Sequence, residues 1–335
     1  MLRRWPIGLG VIVSAVFLWL ALRGLKLEEV LADLQLANYV WLLPGIAVYF
    51  VAVAVRTWRW HYLLRPLKEI SVRRLFPVVV IGYMGNNVYP ARAGEFLRAY
   101  VLKRNERVSV SASLATVIVE RIFDGVVMLL FVFVALPFAP FLPDSLRAIV
   151  VGGSLIFLTA LAVFLFLAAR PVLAARVYNP IIDRVLPGRI RERARGLLDR
   201  FMTGLASLRD IQHVLMVFLT SILIWLLETV KYWFVMHAFN FEVSFFTLML
   251  MNGIVNLATT LPAAPGYLGT FDAPGIAVLS AFGVAPAVAT AYTLVLHAAL
   301  WLPITLLGFV CMARQSLHWS DFAKATKIKD AEAAL

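Results

Sequence analysis

Apolar residues in this chain fall in long unbroken blocks rather than in the stripes of a soluble amphipathic helix. The stretch Trp5–Leu22 carries no charge. Further blocks begin near Tyr39, Ser109, Leu146, His213 and Ala285. Each is long enough to cross a hydrocarbon core of about 30 Å at about 20 apolar residues per helix. Two other apolar stretches, residues 75–90 and 245–261, are interrupted by Gly, Asn and Pro. The pattern predicts an all-α polytopic integral membrane protein with about six full transmembrane helices and two broken elements. Residues 5–22 exceed the apolar core of a signal peptide and lack a small-residue cleavage site, which predicts an uncleaved first span.

Composition removes the other classes. Of 335 residues 62% are hydrophobic and 15% charged, with a mean hydropathy of +0.86. A soluble domain is nearer half apolar and a quarter charged. The single cysteine, Cys311, excludes an intrachain disulfide framework. The net charge of +12 has no compact basic domain to sit on, so nucleic acid is not an expected partner. It matches basic cytoplasmic loops facing anionic lipid.

Charge in the loops sets an expected orientation. Between Arg56 and Arg74 there are six basic residues and one acid, whereas Arg23–Asn38 holds two basic residues against three acids. The first segment is expected in the cytoplasm and the second outside. Residues 170–210 carry nine arginines against four acids and contain Pro180 and Pro187. They predict a cytoplasmic linker with an amphipathic helix, or a solvated basic loop. The tail from Arg314 is basic too, so both termini are expected on the cytoplasmic side of the cell membrane.

Arg92, Arg98, Lys103, Arg104 and Arg107 follow the 75–90 stretch yet look as cytoplasmic as the loop before it. That stretch is therefore expected to enter and leave on one face. Residues 245–283 read as a second re-entrant pair opening outward; the conventional alternative has every segment crossing. The two copies share Pro-Ala-x-x-Gly after asparagine: Asn87, Pro90 and Gly94 in one, Asn256, Pro262 and Gly266 in the other. An inverted-topology repeat follows, with halves at 1–169 and 213–313, re-entrant elements at about 75–95 and 245–283, a linker at 170–212 and a tail at 314–335. Breaks at membrane depth leave backbone groups to be paired by protein, water or substrate, and half-helix N-termini attract anions. Arg92 and Arg98 are placed for bidentate phosphate contacts. Pro and Gly kinking packed helices is the plainer alternative.

Ionisable residues inside apolar runs are the other candidates. Glu120, Arg121 and Asp124 sit mid-block with spacings of three and four, a pattern for pairing within one helix. They read as a structural clamp or as the lining of a substrate path. Glu228 and Lys231, three apart, read as an ion pair or a relay. Asp272 follows the second break, where a carboxylate can take a proton or meet a cationic headgroup; His297 reads as a helix-packing residue or as a group that titrates near neutrality; and Trp58, Trp60, Tyr62, Tyr232 and Trp233 read as interfacial anchors. Zinc spacing, nucleotide-binding glycine loops and a Gly-x-Ser-x-Gly elbow are missing from the sequence. No catalytic residue, metal or cofactor is expected, with an intramembrane transferase that uses the carboxylates as bases left open as a further alternative.

Three ordered motifs carry a resemblance: Asn87-x-x-Pro90-x-Arg92-x-Gly94-Glu95-x-x-Arg98, Glu120-Arg121-x-x-Asp124, and Pro262-x-x-Pro265-Gly266-x-x-Gly269-x-x-Asp272. From about Trp41 to Ala313 the chain resembles the lysylphosphatidylglycerol synthase transmembrane, or flippase-like, family, whose third motif usually ends in Glu. The resemblance implies re-entrant helices and movement of a lipid headgroup between leaflets. It carries over Arg92, Glu95, Arg98, Glu120, Arg121, Asp124 and Asp272 as candidate lining. Because about twenty residues follow Met312, aminoacyl transfer from tRNA is not expected. The expected partners are an anionic or phosphate-bearing lipid, such as a phospholipid, an aminoacyl-phospholipid or a polyprenyl phosphate, and a separate synthase or glycosyltransferase chain. A homo-oligomer stays open. The alternative to a flippase is a membrane scaffold or regulator of such an enzyme.

Overall fold

The computed structural model describes residues 5–22, 25–89, 92–135, 169–185, 188–205, 210–261 and 263–317, with single helical positions between 152 and 167. Every regular element among them is helical. In chain order they are α1 (Trp5–Leu22), α2 (Leu27–Leu36), α3 (Leu42–Leu64), α4 (Val72–Val88), α5 (Ala93–Glu106) and α6 (Val110–Ala135). Then follow α7 (Pro171–Val185), α8 (Gly188–Gly204), α9 (Ile211–Met236), α10 (Phe245–Ala258), α11 (Asp272–Ala281) and α12 (Pro286–Arg314). The span expected from Leu146, the motif prolines Pro90 and Pro262, and most of the tail lie largely or wholly outside the described residues.

Among the described residues three segments, Tyr39–Leu64, Ile211–Met236 and Pro286–Arg314, are long and apolar enough to cross a membrane. Their outer faces show why lipid suits them. Leu215, Leu219 and Leu223 on α9, and Leu302, Leu306 and Val310 on α12, are exposed at one-turn spacing, which draws an apolar stripe outward. Inside, Arg56, Arg59, Arg98, Glu120, Asp124, Glu228, Lys231 and Asp272 are buried. This is the reverse of a soluble fold and fits a chain whose solvent is hydrocarbon.

Local signals set the helix ends. Asp210 accepts from the Gln212 N–H at 2.9 Å, and Ser244 accepts from the Thr247 N–H at 3.1 Å, as N-caps do. Pro286 occupies the first turn of α12, where its missing N–H costs nothing. Pro180 does not break the linker; it lies inside α7. The α8 helix packs against α6.

The glycines and asparagines inside the two interrupted stretches do not end their helices. Helix α4 runs through Gly82, Gly85, Asn86 and Asn87 and ends at Val88. Helix α10 runs through Asn252, Gly253 and Asn256 to Ala258. Small and amide residues inside an apolar helix keep its backbone ladder, and in sequence a proline, which has no N–H to continue a helix, follows each helix end within four residues. Arg92 then takes a left-handed conformation, φ 53°, before α5. After α10 the chain passes through a tight turn at Pro265–Tyr267, with Gly266 at φ 72° and Tyr267 at φ 61°.

The core joins α3, α4, α5, α6 and α9 in one apolar cluster and α2, α9, α10, α11 and α12 in another. The most extensive pairing is α3 with α9, followed by α12 with α4 and α4 with α5. Helices α4 and α5 meet backbone to backbone at Gly94. A Cβ there would fall on the Gly82 carbonyl and the Asn86 amide, so the hairpin closes only around glycine.

Candidate functional site

A charged layer crosses the bundle where α3, α5, α6 and α9 face one another. Arg56 and Arg59 occupy the last third of α3, and Glu120, Arg121 and Asp124 the middle of α6. Arg59 Nη1 donates to Asp124 Oδ1 at 2.7 Å and to Ser221 Oγ at 2.5 Å. Its Nη2 reaches Asp124 Oδ2 at 3.3 Å. Trp225 Nε1 donates to the same carboxylate at 3.0 Å. Arg56 Nη2 donates to Glu228 Oε1 at 3.0 Å, and Lys231 Nζ bonds the other oxygen of Glu228.

The acids of α6 therefore pair with other helices and not chiefly within their own. Glu120 accepts from Arg98 Nη2 at 2.6 Å. Arg121 Nε donates to Glu95 Oε1 at 2.8 Å, while its nearest approach to Asp124 is 4.0 Å. A facing helix offers a shorter, straighter contact than a neighbour one turn away. Glu228 and Lys231 do pair along α9.

Two arginines lie inside a helix and not in the loop the sequence predicts. Arg56 and Arg59 are buried on α3, with 7% and 1% of their surfaces exposed. Their spacing of three, followed by Trp60, Leu63 and Leu64 on the same apolar run, is the signal that places them in the span. Trp60 and Tyr232 are buried too and are not interfacial anchors. Trp60 carries the Arg98 guanidinium 3.6 Å above its ring and donates to Thr116 at 2.9 Å.

In front of this layer opens a cavity of about 370 Å³. Of the residues picked from the sequence, Asn87, Arg92, Arg121, Asp124, Glu228, Lys231, Asn256 and Gly266 line it. Arg98, Glu95 and Gly94 border a narrow crevice behind it. Glu120, Pro265, Gly269 and Asp272 stand back from its wall. Arg98 is therefore a packed strut paired with Glu120, not a free phosphate ligand. The wall also holds His297, singled out from the sequence, and Arg56, Tyr83, Trp225, Tyr267 and Trp301, which the sequence does not mark as lining.

The two breaks meet here. Arg92 Nη2 donates to the Thr259 carbonyl at 3.1 Å, and its guanidinium stands 5.9 Å from the Tyr267 ring centroid. Asn87 donates to Thr305 at 2.8 Å, and Trp301 Nε1 returns a bond to the Asn87 carbonyl at 3.3 Å. A Cβ on Gly266 would meet Trp301 Nε1 at 2.8 Å, so the left-handed φ and the close approach both require glycine. Asn256 donates to Asn252 Oδ1 at 2.8 Å, and Asn252 donates to Thr229 at 3.0 Å.

Charge across the layer does not balance. Arg56, Arg59, Arg92, Arg98 and Arg121 are cationic at every accessible pH. Glu95, Glu120 and Asp124 each face a guanidinium. The Glu228–Lys231 pair sums to zero wherever its proton sits. With Asp272, whose carboxylate meets His297 on the cavity wall, the described groups around the cavity carry a surplus of one positive charge when the His297–Asp272 pair is negative and of two when it is neutral. Uncompensated charge in a low dielectric costs several kcal/mol per ion, less where, as at Arg92 and Arg121, the side chain is partly exposed. No group of three or more His, Cys, Asp or Glu able to hold a metal occurs among the described residues.

The chain is similar to proteins described as UPF0104 membrane proteins and to a glycosyltransferase. A UPF0104 membrane protein of Methanothermobacter thermautotrophicus is 27% identical over 304 residues, spanning 86% of this chain and 88% of that one. Another, of Methanocaldococcus jannaschii, is 23% identical over 321 residues, spanning 90% and 93%. Glycosyltransferase AglD of Haloferax volcanii is 27% identical over 338 residues, covering 88% of this chain but 52% of its own length. Residues 7–308 match the family described as the lysylphosphatidylglycerol synthase TM region, and this integral membrane chain belongs to it.

Proposed function

We propose that this protein is a lipid translocase that carries a phosphate-bearing headgroup between the leaflets of the cell membrane. The observation that carries this reading is the net positive charge of the groups around the cavity. Arg56, Arg92 and Arg121 point the surplus into it, and guanidinium forks match phosphate oxygens. Phospholipid, aminoacyl-phospholipid and polyprenyl-phosphate headgroups all present that chemistry.

Helix lengths support the re-entrant arrangement. At 1.5 Å per residue, α10 with its 14 residues is about 21 Å long and α11 with its 10 about 15 Å, each short of a core of about 30 Å. The reading pairs α4–α5 in one half with α10–α11 in the other as inverted repeats, with both termini cytoplasmic and residues 170–212 as the basic linker. Alternating exposure of the two breaks then admits the headgroup from one leaflet and releases it to the other. Binding, translocation and release make or break no covalent bond, so the reading needs no enzymatic step.

The test is translocation of a fluorescent phospholipid in reconstituted vesicles. Arg92→Gln and Arg56→Gln are expected to slow it at least tenfold, and unchanged rates in both would overturn the reading. A second reading is favoured by AglD, a glycosyltransferase of which this chain matches about half. In that reading the chain serves a separate lipid- or glycan-building enzyme as its membrane partner. Stoichiometric co-purification of such an enzyme, with no translocation by the protein alone, would establish it.

A further inference from the structure

His297 on α12 stands between two acceptors. Its Nδ1 lies 2.8 Å from Asp272 Oδ1, and its Nε2 lies 2.7 Å from the Gly266 carbonyl. A neutral imidazole has one N–H and one lone pair. If Asp272 is ionised and His297 neutral, one ring nitrogen must turn its lone pair on an oxygen at hydrogen-bond distance. Both contacts hold only when the pair carries one further proton. Either His297 is an imidazolium donating to both oxygens, or Asp272 is a carboxylic acid donating to Nδ1 while Nε2–H donates to Gly266. The two forms contain the same number of protons.

We propose that the His297–Asp272 pair is the binding site of a coupling proton, taken up together with the anion in the cavity and released with it. The proton comes from water and joins Nδ1 or Oδ1, and no bond between heavier atoms changes.

Two consequences of losing that proton tie the pair to the cavity. Asp272 Oδ2 accepts from the Gly269 N–H at 2.8 Å, and His297 holds Gly266, so the pair pins the segment 264–271 at both ends. Without the proton one of the pair's own two contacts fails, and the turn that places Tyr267 beside Arg92 loosens. The pair also passes from neutral to negative next to the surplus positive charge, which weakens anion binding. By linkage, anion binding then raises the pair's affinity for its proton by the same factor.

The charged neighbours do not substitute for Asp272. Phe271 covers one side of the imidazole, with ring centroids 4.5 Å apart. From α9, Glu228 and Lys231 bond each other and Tyr232 lends its carbonyl to Tyr292. From α6 and α3, Arg121, Asp124 and Arg56 are held in the charged layer; Arg92 is held by Thr259. Tyr49, Tyr83 and Tyr267 share the cavity wall with His297, and the acids of α2 are not part of that wall.

The transport meaning rests on the proposed translocase reading, but the proton site is testable without any lipid. Hydrogen exchange of residues 264–271 would be followed in the full chain in nanodiscs from pH 5 to 9, corrected for intrinsic rates. Wild type is expected to lose protection as pH rises. Asp272→Asn is expected to stay protected throughout, because its amide donates to Nδ1 while its oxygen still accepts from Gly269. His297→Gln removes the titrating ring and is expected to abolish the pH dependence even if Asp272→Asn folds poorly. Protection that ignores pH in wild type, or that follows pH equally in both variants, overturns the proposal.

A second arm adds dihexanoyl phosphatidylglycerol, whose phosphodiester does not titrate in this range, to weakly buffered protein. About one proton taken up per lipid, with affinity falling up to tenfold per pH unit, is expected in wild type and neither in Asp272→Asn. Binding without proton uptake overturns the proton site and leaves the translocase reading standing. No binding at any pH defeats the translocase reading, while the exchange experiment still decides the proton site.

Discussion

Arg59 grips both oxygens of Asp124, at 2.7 and 3.3 Å, from a position 65 residues earlier in the chain. Neither side chain is exposed by more than 2%. The pair ties α3 to α6, and Ser221 and Trp225 add α9 to the same knot. Arg59 is not among the residues that line the cavity, whereas Asp124, Arg56, Arg92 and Arg121 are, so the pair forms the rear of the charged layer where it meets an open front.

Removing one member of that rear pair strands the other in the bundle. Arg59→Met and Asp124→Leu should each cost about 3–5 kcal/mol, read as a large fall in the melting temperature in detergent. The double variant should recover part of the loss, since no buried charge is left without a partner. Strictly additive losses would show that the two residues act independently.

Trp60 makes two separable contacts. Trp60→Phe keeps a ring under Arg98 but removes the donor to Thr116, and should cost about 1 kcal/mol. Trp60→Ala also removes the ring and opens a cavity, and should cost about 3–5 kcal/mol. Thermal unfolding of the two variants side by side separates the contributions.

Gly94 is a test of backbone approach. Gly94→Ala would push the α4–α5 hairpin apart, at a cost of about 1–3 kcal/mol, with loss of monodisperse protein on size exclusion. Gly8→Ala, where a Cβ meets nothing within 4 Å, is the matched control and should behave as wild type.

Arg92 separates binding from folding. Its side chain is 29% exposed and its hydrogen bond is to a carbonyl, so Arg92→Gln should change melting by little in the absence of lipid. The stabilisation conferred by saturating anionic short-chain lipid should shrink markedly, since that shift reports affinity. An undiminished shift would remove Arg92 from the binding face.

Much of the architecture is legible along the chain. Apolar runs locate α1, α3, α9 and α12, and the Pro and Gly clusters mark both breaks to within a few residues. The errors are of one kind. Arg56 and Arg59 look like loop residues because a hydropathy sum treats each charge as a cost and does not see the carboxylate that offsets it. Gly85 and Asn86 look like break points because their packing against α5 is invisible in sequence. His297 looks like a packing residue until Asp272 and Gly266 are brought to its two nitrogens.

The sequence by itself determined what depends on neighbours in the chain: which segments are helical, that lipid is their solvent, and where the backbone must break. Tertiary structure alone decided which charges meet. Arg56 and Glu228 are 172 residues apart, and Asn87 and Thr305 are 218 apart. Transfer of a helix into hydrocarbon is a sum over its own residues. The energy of a buried ion depends on a partner within a few ångströms, and only the packing of distant helices supplies that partner.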